Sequence, residues 1–294
     1  MTLRGFLRSK LGFSRRLLRR LKAREAVLIN GRPVRLNYRV QRGDELTLLP
    51  VEEPAQGATE STMIKPWILW EDREILVLNK PAGLIVHPTG SHRFGTLLQH
   101  LESYFQAQGV PGRPHLVNRL DRDTSGVILI AKHPWAHHRL AQALEENLVR
   151  RTYLAFVVGR WPEKEIRIDL PIRRVGPAST KREIHPEGQR AVTMGRTLKT
   201  WSDLSLVELE LLTGRTHQIR VHLQALGTPL AGDILYGGGQ QFIARQALHA
   251  FQLEFPHPVS GEEIRVRARL PADMVALLRK LEQQGGSSFE NRSD

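Results

Sequence analysis

The sequence predicts an α+β protein in two parts, on three observations. Strand-like segments outnumber helical ones and do not alternate with them regularly, which argues against a doubly wound parallel sheet. The first 49 residues carry a helix–helix–hairpin pattern of their own. A run with almost no core residues, "PVEEPAQGATESTM", separates that stretch from the rest. The expected organisation is a small unit over 1–49, a linker over 50–63, a large unit over 64–282 and a disordered tail over 283–294.

In the small unit, Leu3, Phe6, Leu7 and Leu11 recur at helical spacing. Gly12 breaks that run, and Ser14 can cap a second helix carrying Leu17, Leu18 and Leu21. In "VLINGRPVRL", Asn30-Gly31 marks a tight turn between short strands, and "RGDELTLL" supplies a last strand. Two short basic helices and a hairpin in this order resemble the S4 RNA-binding domain. The resemblance implies that Arg15, Arg16, Arg19 and Arg20 lie on or near a nucleic-acid face.

Charge agrees with that reading. The net charge is +13, and residues 1–49 hold thirteen Lys and Arg against three acids, a net +10. So concentrated a field fits a polyanion-binding appendage better than a membrane surface, because no single wide apolar face accompanies it. No apolar run is long enough to span a bilayer, and no apolar segment follows the basic start as in a secretory signal. The absence of cysteine excludes disulfides and thiolate zinc sites. A cytoplasmic, monomeric protein with RNA as partner and no membrane contact is expected.

In the large unit, "EILVLNK", "GVILIA", "TYLAFVVG" and "SLVELELL" read as strands. The last alternates Val207, Leu209 and Leu211 against Glu208 and Glu210, so one face should be buried. A helix is expected from Pro134, burying Leu140, Leu144 and Leu148. Another is expected over about Thr216 to Leu226, stopped by Gly227.

Several chemistries lack a motif. There is no glycine-rich phosphate loop ending in Lys-Ser/Thr. His217 and His222 stand roughly 140° apart around a helix at 3.6 residues per turn, so they share no ligand face. No metal site is expected. Asp121 remains, between Arg119 and Arg122 and just before Thr124-Ser125-Gly126 and an apolar strand. Opposite charge favours the ionised form of a carboxylate, which suits a nucleophile or electrostatic partner rather than a general acid. An isolated Asp–Arg pair is nonetheless more often a structural salt bridge than a catalytic group. No second carboxylate in apolar surroundings offers a glycosidase acid.

"NRLDRDTSGVILIAK" resembles the aspartate motif of the RluA-family pseudouridine synthases, H-R-L-D-x-x-T-S-G, with Asn118 in place of its His. "NKPAGLIVHP", "RRTYLA", "TGRTHQIRVHLQALGTPLAGDILYG" and "LHAFQLEFPHP" follow the family's order. The resemblance implies a catalytic fold on a mainly antiparallel mixed β-sheet. It also implies cofactor-free isomerisation of uridine to pseudouridine in structured RNA, with the target base flipped out. By matching position, Asp121 is the catalytic carboxylate, Tyr153 lies against the flipped base and serves in deprotonation at C5, and Arg220 holds and orients Asp121. Arg119 would fill the gap left by the flipped nucleotide. Arg151 and His217 are further substrate contacts, and Lys80 and Pro81 are supports. Large-subunit ribosomal RNA is the favoured target, with transfer RNA second. A non-catalytic RNA-binding or ribosome-assembly protein would explain the basic unit but not Asp121, Tyr153 and Arg220 together. An N-glycoside hydrolase would use Asp121 but has no evident need of a basic RNA unit.

Overall fold

The computed structural model describes residues 1–49, 64–88, 94–162, 164–176 and 179–284. The expected linker over 50–63 lies outside them, as does the tail from 285 onward.

The N-terminal stretch folds as α1 (Leu3–Ser9), α2 (Arg15–Ala23) and the three-stranded sheet of β1 (Val27–Ile29), β2 (Arg32–Pro33) and β3 (Leu46–Leu48). Ser14 caps α2 by accepting the Leu17 N–H at 3.1 Å, and Asn30 and Gly31 turn the hairpin at φ of 52° and 76°. Leu3, Leu7, Phe13, Leu17, Leu18 and Leu21 form a core of their own, which Trp135 of the larger part also joins. The indole N–H of Trp135 donates to the Leu11 carbonyl.

The larger part is built on β4 (Ile68–Glu71), β5 (Ile75–Lys80), α3 (Leu97–Ala107), β6 (His115–Leu116), β7 (Ser125–Ala131), α4 (Pro134–Glu145) and β8 (Arg150–Val158). It continues with β9 (Glu165–Asp169), β10 (Ile172–Arg174), β11 (Arg182–Ile184), β12 (Val192–Thr200), β13 (Leu204–Leu211) and α5 (Gln218–Ala225). β14 (Leu248–Pro256), β15 (Glu263–Arg267) and α6 (Ala272–Gln283) complete it. The main sheet runs β4-β5-β7-β14-β8-β13-β12-β9, with β15 on β14 and β6 on β7. Every pairing in it is antiparallel except β7 with β14, so the expected α+β class with a mainly antiparallel mixed sheet holds.

β7 is buried along its whole length because both faces are covered. Ile128 and Ile130 join one core with Tyr153, Ala155 and Leu209, while Val127 and Leu129 face Leu140 and Phe255 on the other side. β13 buries Val207, Leu209 and Leu211 and turns Glu208 and Glu210 outward, as its alternation requires.

Three expectations need correction. α4 ends at Glu145, and Asn147 takes a left-handed φ of 58°, so Leu148 falls past the helix and is 56% exposed. α5 begins at Gln218 rather than Thr216, because His217 also has a left-handed φ, of 57°. Gln283, read as the first tail residue, is instead the last residue of α6. That helix and α3 were not anticipated.

Candidate active site

The site is set by a row of small residues across the middle of the sheet. Ala250 of β14 pairs with Gly126 of β7 on one side and with Tyr153 of β8 on the other. Tyr153 is thus two strand spacings, about 10 Å, from Gly126, with only a methyl group between them. A small pocket opens beside that row, lined by Tyr153 and Leu248, and Asp121 enters it from the turn before β7.

That turn is fastened from several sides. Asn118 accepts the Leu129 N–H at 2.7 Å and donates to the Val127 carbonyl at 3.4 Å, so it bonds to β7 as a backbone would. Lys80, fully buried at the end of β5, donates to the carbonyls of Pro81, Leu84 and Arg122 at 2.8–2.9 Å. Burial pushes its ammonium down to about 7, with Asp123 and Asp121 opposing. Arg245 donates to the Asp123 carbonyl at 2.9 Å and is itself paired with Asp273. The Thr-Ser-Gly step has separate structural duties. Ser125 lies 2.9 Å from His249 Nδ1, and a Cβ on Gly126 would stand 2.1 Å from the Ala250 carbonyl oxygen.

Asp121 itself is 19% exposed at the side chain. Its partner is neither neighbouring arginine. Arg122 turns outward to Asp123 at 3.0 Å, and Arg119 is exposed to the clefts. Arg220, in the first turn of α5, reaches Asp121 Oδ2 with Nη1 at 3.3 Å. It is held by Asp233, which takes Nε at 2.7 Å and Nη2 at 2.8 Å. Tyr236 lies under the guanidinium, 4.9 Å from its carbon. Burial alone would lower the Arg220 pKa, but hydrogen bonds and charge from Asp233, then Asp121, raise it overall. Asp233 and Tyr236 were missed as site residues. "GDILYG" holds both, but neither stands near Asp121 in sequence.

Three connected spaces meet here. One of about 680 Å³ is lined by Asp121, Arg119, His217, Arg220 and Asp233. A trough of about 960 Å³ is lined by Arg119, Arg151, Tyr153, Arg167, Arg190 and Arg215. A pocket of about 50 Å³ lies between Asp121, Tyr153 and Leu248. Arg119 borders all three. Tyr153 is 5% exposed, and burial pushes its phenol up to about 12, Arg151 opposing. It therefore stands protonated at neutral pH, burial outweighing the nearby Arg151. Arg151 donates to the Leu211 carbonyl at 3.0 Å and fits because residue 214 is glycine, whose added Cβ would lie 2.8 Å from Nη1. The structure thus gathers Asp121, Tyr153, Arg220, Arg119, Arg151 and His217 around one cleft. Arg15, Arg16, Arg19 and Arg20 lie apart from it on α2, with Arg15 and Arg19 exposed and Arg20 half-buried. Among the described residues no His, Asp or Glu cluster has the geometry to hold a metal ion, and no helix is long and apolar enough to cross a membrane.

Residues 74–225 match the family model for RNA pseudouridylate synthase. The chain is 43% identical over 274 residues to an uncharacterized RNA pseudouridine synthase of Bacillus subtilis, YjbO, covering 92% of this chain and 96% of that protein. It is 38% identical to the ribosomal large subunit pseudouridine synthase D of Yersinia pestis, covering 87% of this chain and 82% of the relative. The solved structure of human RNA pseudouridylate synthase domain containing 4 superposes with a TM-score of 0.64 at 25% identity, covering 76% of this chain and 95% of that one.

Proposed function

The chain belongs to the RNA pseudouridine synthase family, and from that premise we propose that Asp121 is the carboxylate through which it isomerises specific uridines in structured RNA. The observation that carries this is the Asp121 carboxylate lining both the larger cleft and the small pocket beside Tyr153, oriented by an arginine that a buried Asp233 holds bidentately. Such fixed charge costs no reorganisation during the reaction.

The reaction breaks the C1′–N1 bond, turns the base, joins C5 to C1′, and moves the C5 proton off as N1 gains one. Attack by Asp121 on ribose, attack on the base, and elimination to a glycal all begin from a carboxylate placed against the nucleotide. Stacking and pairing in structured RNA hide both faces of the base, so the nucleotide must flip out, and the guanidinium of Arg119 can stack in the gap. Tyr153 packs against the base. Its proposed part in removing the C5 proton requires the substrate complex to lower a pKa that stands at about 12 in the free protein.

The substrate we propose is large-subunit ribosomal RNA, supported by the name of the Yersinia pestis relative. Residues 1–49 serve as an S4-like RNA-binding domain ahead of a catalytic unit over 64–282, supported by their separate core and by exposed Arg15 and Arg19 on α2. The trough arginines then take phosphates near the target base, and contacts of that kind position rather than specify.

Asp121→Asn tests the assignment. Pseudouridine and uridine have equal mass, so product is read by carbodiimide adduct mapping. The variant should bind target RNA at least as tightly as the native protein while turnover vanishes. Turnover above a deamidation control would remove Asp121 from the mechanism.

A further inference from the structure

Tyr236 is buried beside Asp121, and its hydroxyl sits in a directed chain. Its oxygen accepts the Arg182 backbone N–H at 2.9 Å and lies 2.9 Å from His217 Nδ1. A backbone N–H can only donate, and a phenol that accepts it still has its own hydrogen to give to Nδ1. Nδ1 is then the acceptor, and the neutral imidazole carries its proton on Nε2. That nitrogen faces Asp121, 3.9 Å from Oδ2, the same oxygen that Arg220 reaches at 3.3 Å. Among the described residues no hydrogen bond to Oδ1 is found.

The backbone is committed to this arrangement. His217 takes a left-handed φ of 57°, a conformation costing a non-glycine residue about 1–2 kcal/mol. Gln218 enforces it, accepting from Thr213 Oγ1 and the Arg215 N–H at 2.8 and 2.9 Å while donating to the Val192 carbonyl and Thr193 Oγ1. Strain held in place by a neighbouring network beside a reactive carboxylate points to a role for the strained residue.

We propose that His217 is a positioning residue for the reaction: as its Nε2–H tautomer it closes on Oδ2 of Asp121 when RNA fills the cleft, sharing that oxygen with Arg220 and leaving Oδ1 to meet the nucleotide. This rests on Asp121 as the catalytic carboxylate. The groups facing the ring are Asp121, Arg220, Arg182, Asp233 and Tyr236. Burial pushes His217 below 6.5, Arg220 and Arg182 assisting and the two aspartates opposing, so the neutral ring required is the resting form.

Three variants of the full chain test this, with kcat, KM and Tm read for each. His217→Gln keeps a carbonyl for Tyr236 and an N–H for Asp121, whereas His217→Leu keeps neither. Both bear the same backbone cost. Leu should lower kcat about 100-fold, as a misplacement of about 1 Å does, with KM little changed. Gln should recover most of that loss at an equal Tm. Tyr236→Phe keeps the ring beneath Arg220 and releases the tautomer, and should cost about tenfold, the worth of one hydrogen bond. Equal losses in Leu and Gln would overturn the proposal, as would native kcat in both Leu and Phe. Asp121→Asn is assayed alongside. If it retains turnover, the underlying assignment has failed; if it is inactive while Leu and Phe match the native protein, only the role of His217 has.

Discussion

At the scale of single residues, the carboxylate that matters for stability is Asp233 rather than Asp121. Asp233 is 1% exposed and spends both oxygens on Arg220. Arg220→Met would leave that charge buried and unpaired, at a cost of roughly 3–5 kcal/mol. The substitution should therefore lower Tm as well as abolish turnover. Adding Asp233→Leu should restore most of the stability and none of the activity, because a buried ion pair can be replaced by apolar groups at little net cost. Denaturant unfolding of the single and double variants checks this, and a double variant no more stable than the single would contradict it. Arg122→Met should do far less to either quantity, since Arg122 is largely exposed and its guanidinium pairs, among the described residues, with Asp123. Tyr153 invites a separate measurement. Its phenol is raised to about 12 by burial, so it holds its proton across the neutral range and releases it only at strongly alkaline pH. Tyr153→Phe should remove a component ionising near pH 12 from the tyrosine absorbance titration. RNA binding should survive while turnover is lost, and full turnover in Tyr153→Phe would exclude the phenol from proton transfer.

Among the elements, the central strands bring their residues together by closeness of backbone. Gly126 (φ 115°) lies so near β14 that a Cβ would meet the Ala250 backbone at 2.1–2.7 Å. Gly126→Ala must part the one parallel pairing in the sheet or twist the strand, and should cost about 3 kcal/mol from overpacking plus backbone strain. Gly214→Ala is the contrasting case, because its added methyl meets only the end of the Arg151 side chain, at 2.8 Å. A guanidinium can move, so stability should be nearly native while RNA affinity falls. Thermal unfolding and RNA titration of the two variants should therefore give opposite patterns.

For the molecule as a whole, charge and packing divide the work between the two parts. Residues 1–49 carry net +10 of the +13, yet they touch the larger part through Trp135, Leu11 and Phe13, which are mostly apolar contacts. Deleting the stretch would expose Trp135, so substituting its exposed arginines in the full chain is the cleaner probe. Arg15→Gln with Arg19→Gln should flatten the slope of log K against log salt by roughly 1.5 if each arginine meets one phosphate. Turnover at saturating RNA should be unchanged. An unaltered slope would show that α2 meets no RNA phosphate.

What the residues by themselves determined was local or periodic. Ser14 and Asn30-Gly31 announce their cap and turn, and the alternation of β13 announces its buried face, because each depends on neighbours within a few positions. The same holds for the motif around Asp121, whose order along the chain was enough to show the family resemblance. Tertiary structure decided who partners whom. Arg119 and Arg122 flank Asp121 in sequence, but Arg122 turns to Asp123 and Arg119 opens to the clefts, and the pairing arginine comes from α5, 99 positions on. Asp233 and Tyr236 became visible only when the chain returned beneath that arginine, and Leu148 moved to the surface when Asn147 ended its helix early. Side-chain pairing is set by distance in space, and a sequence pattern reports distance only along the chain.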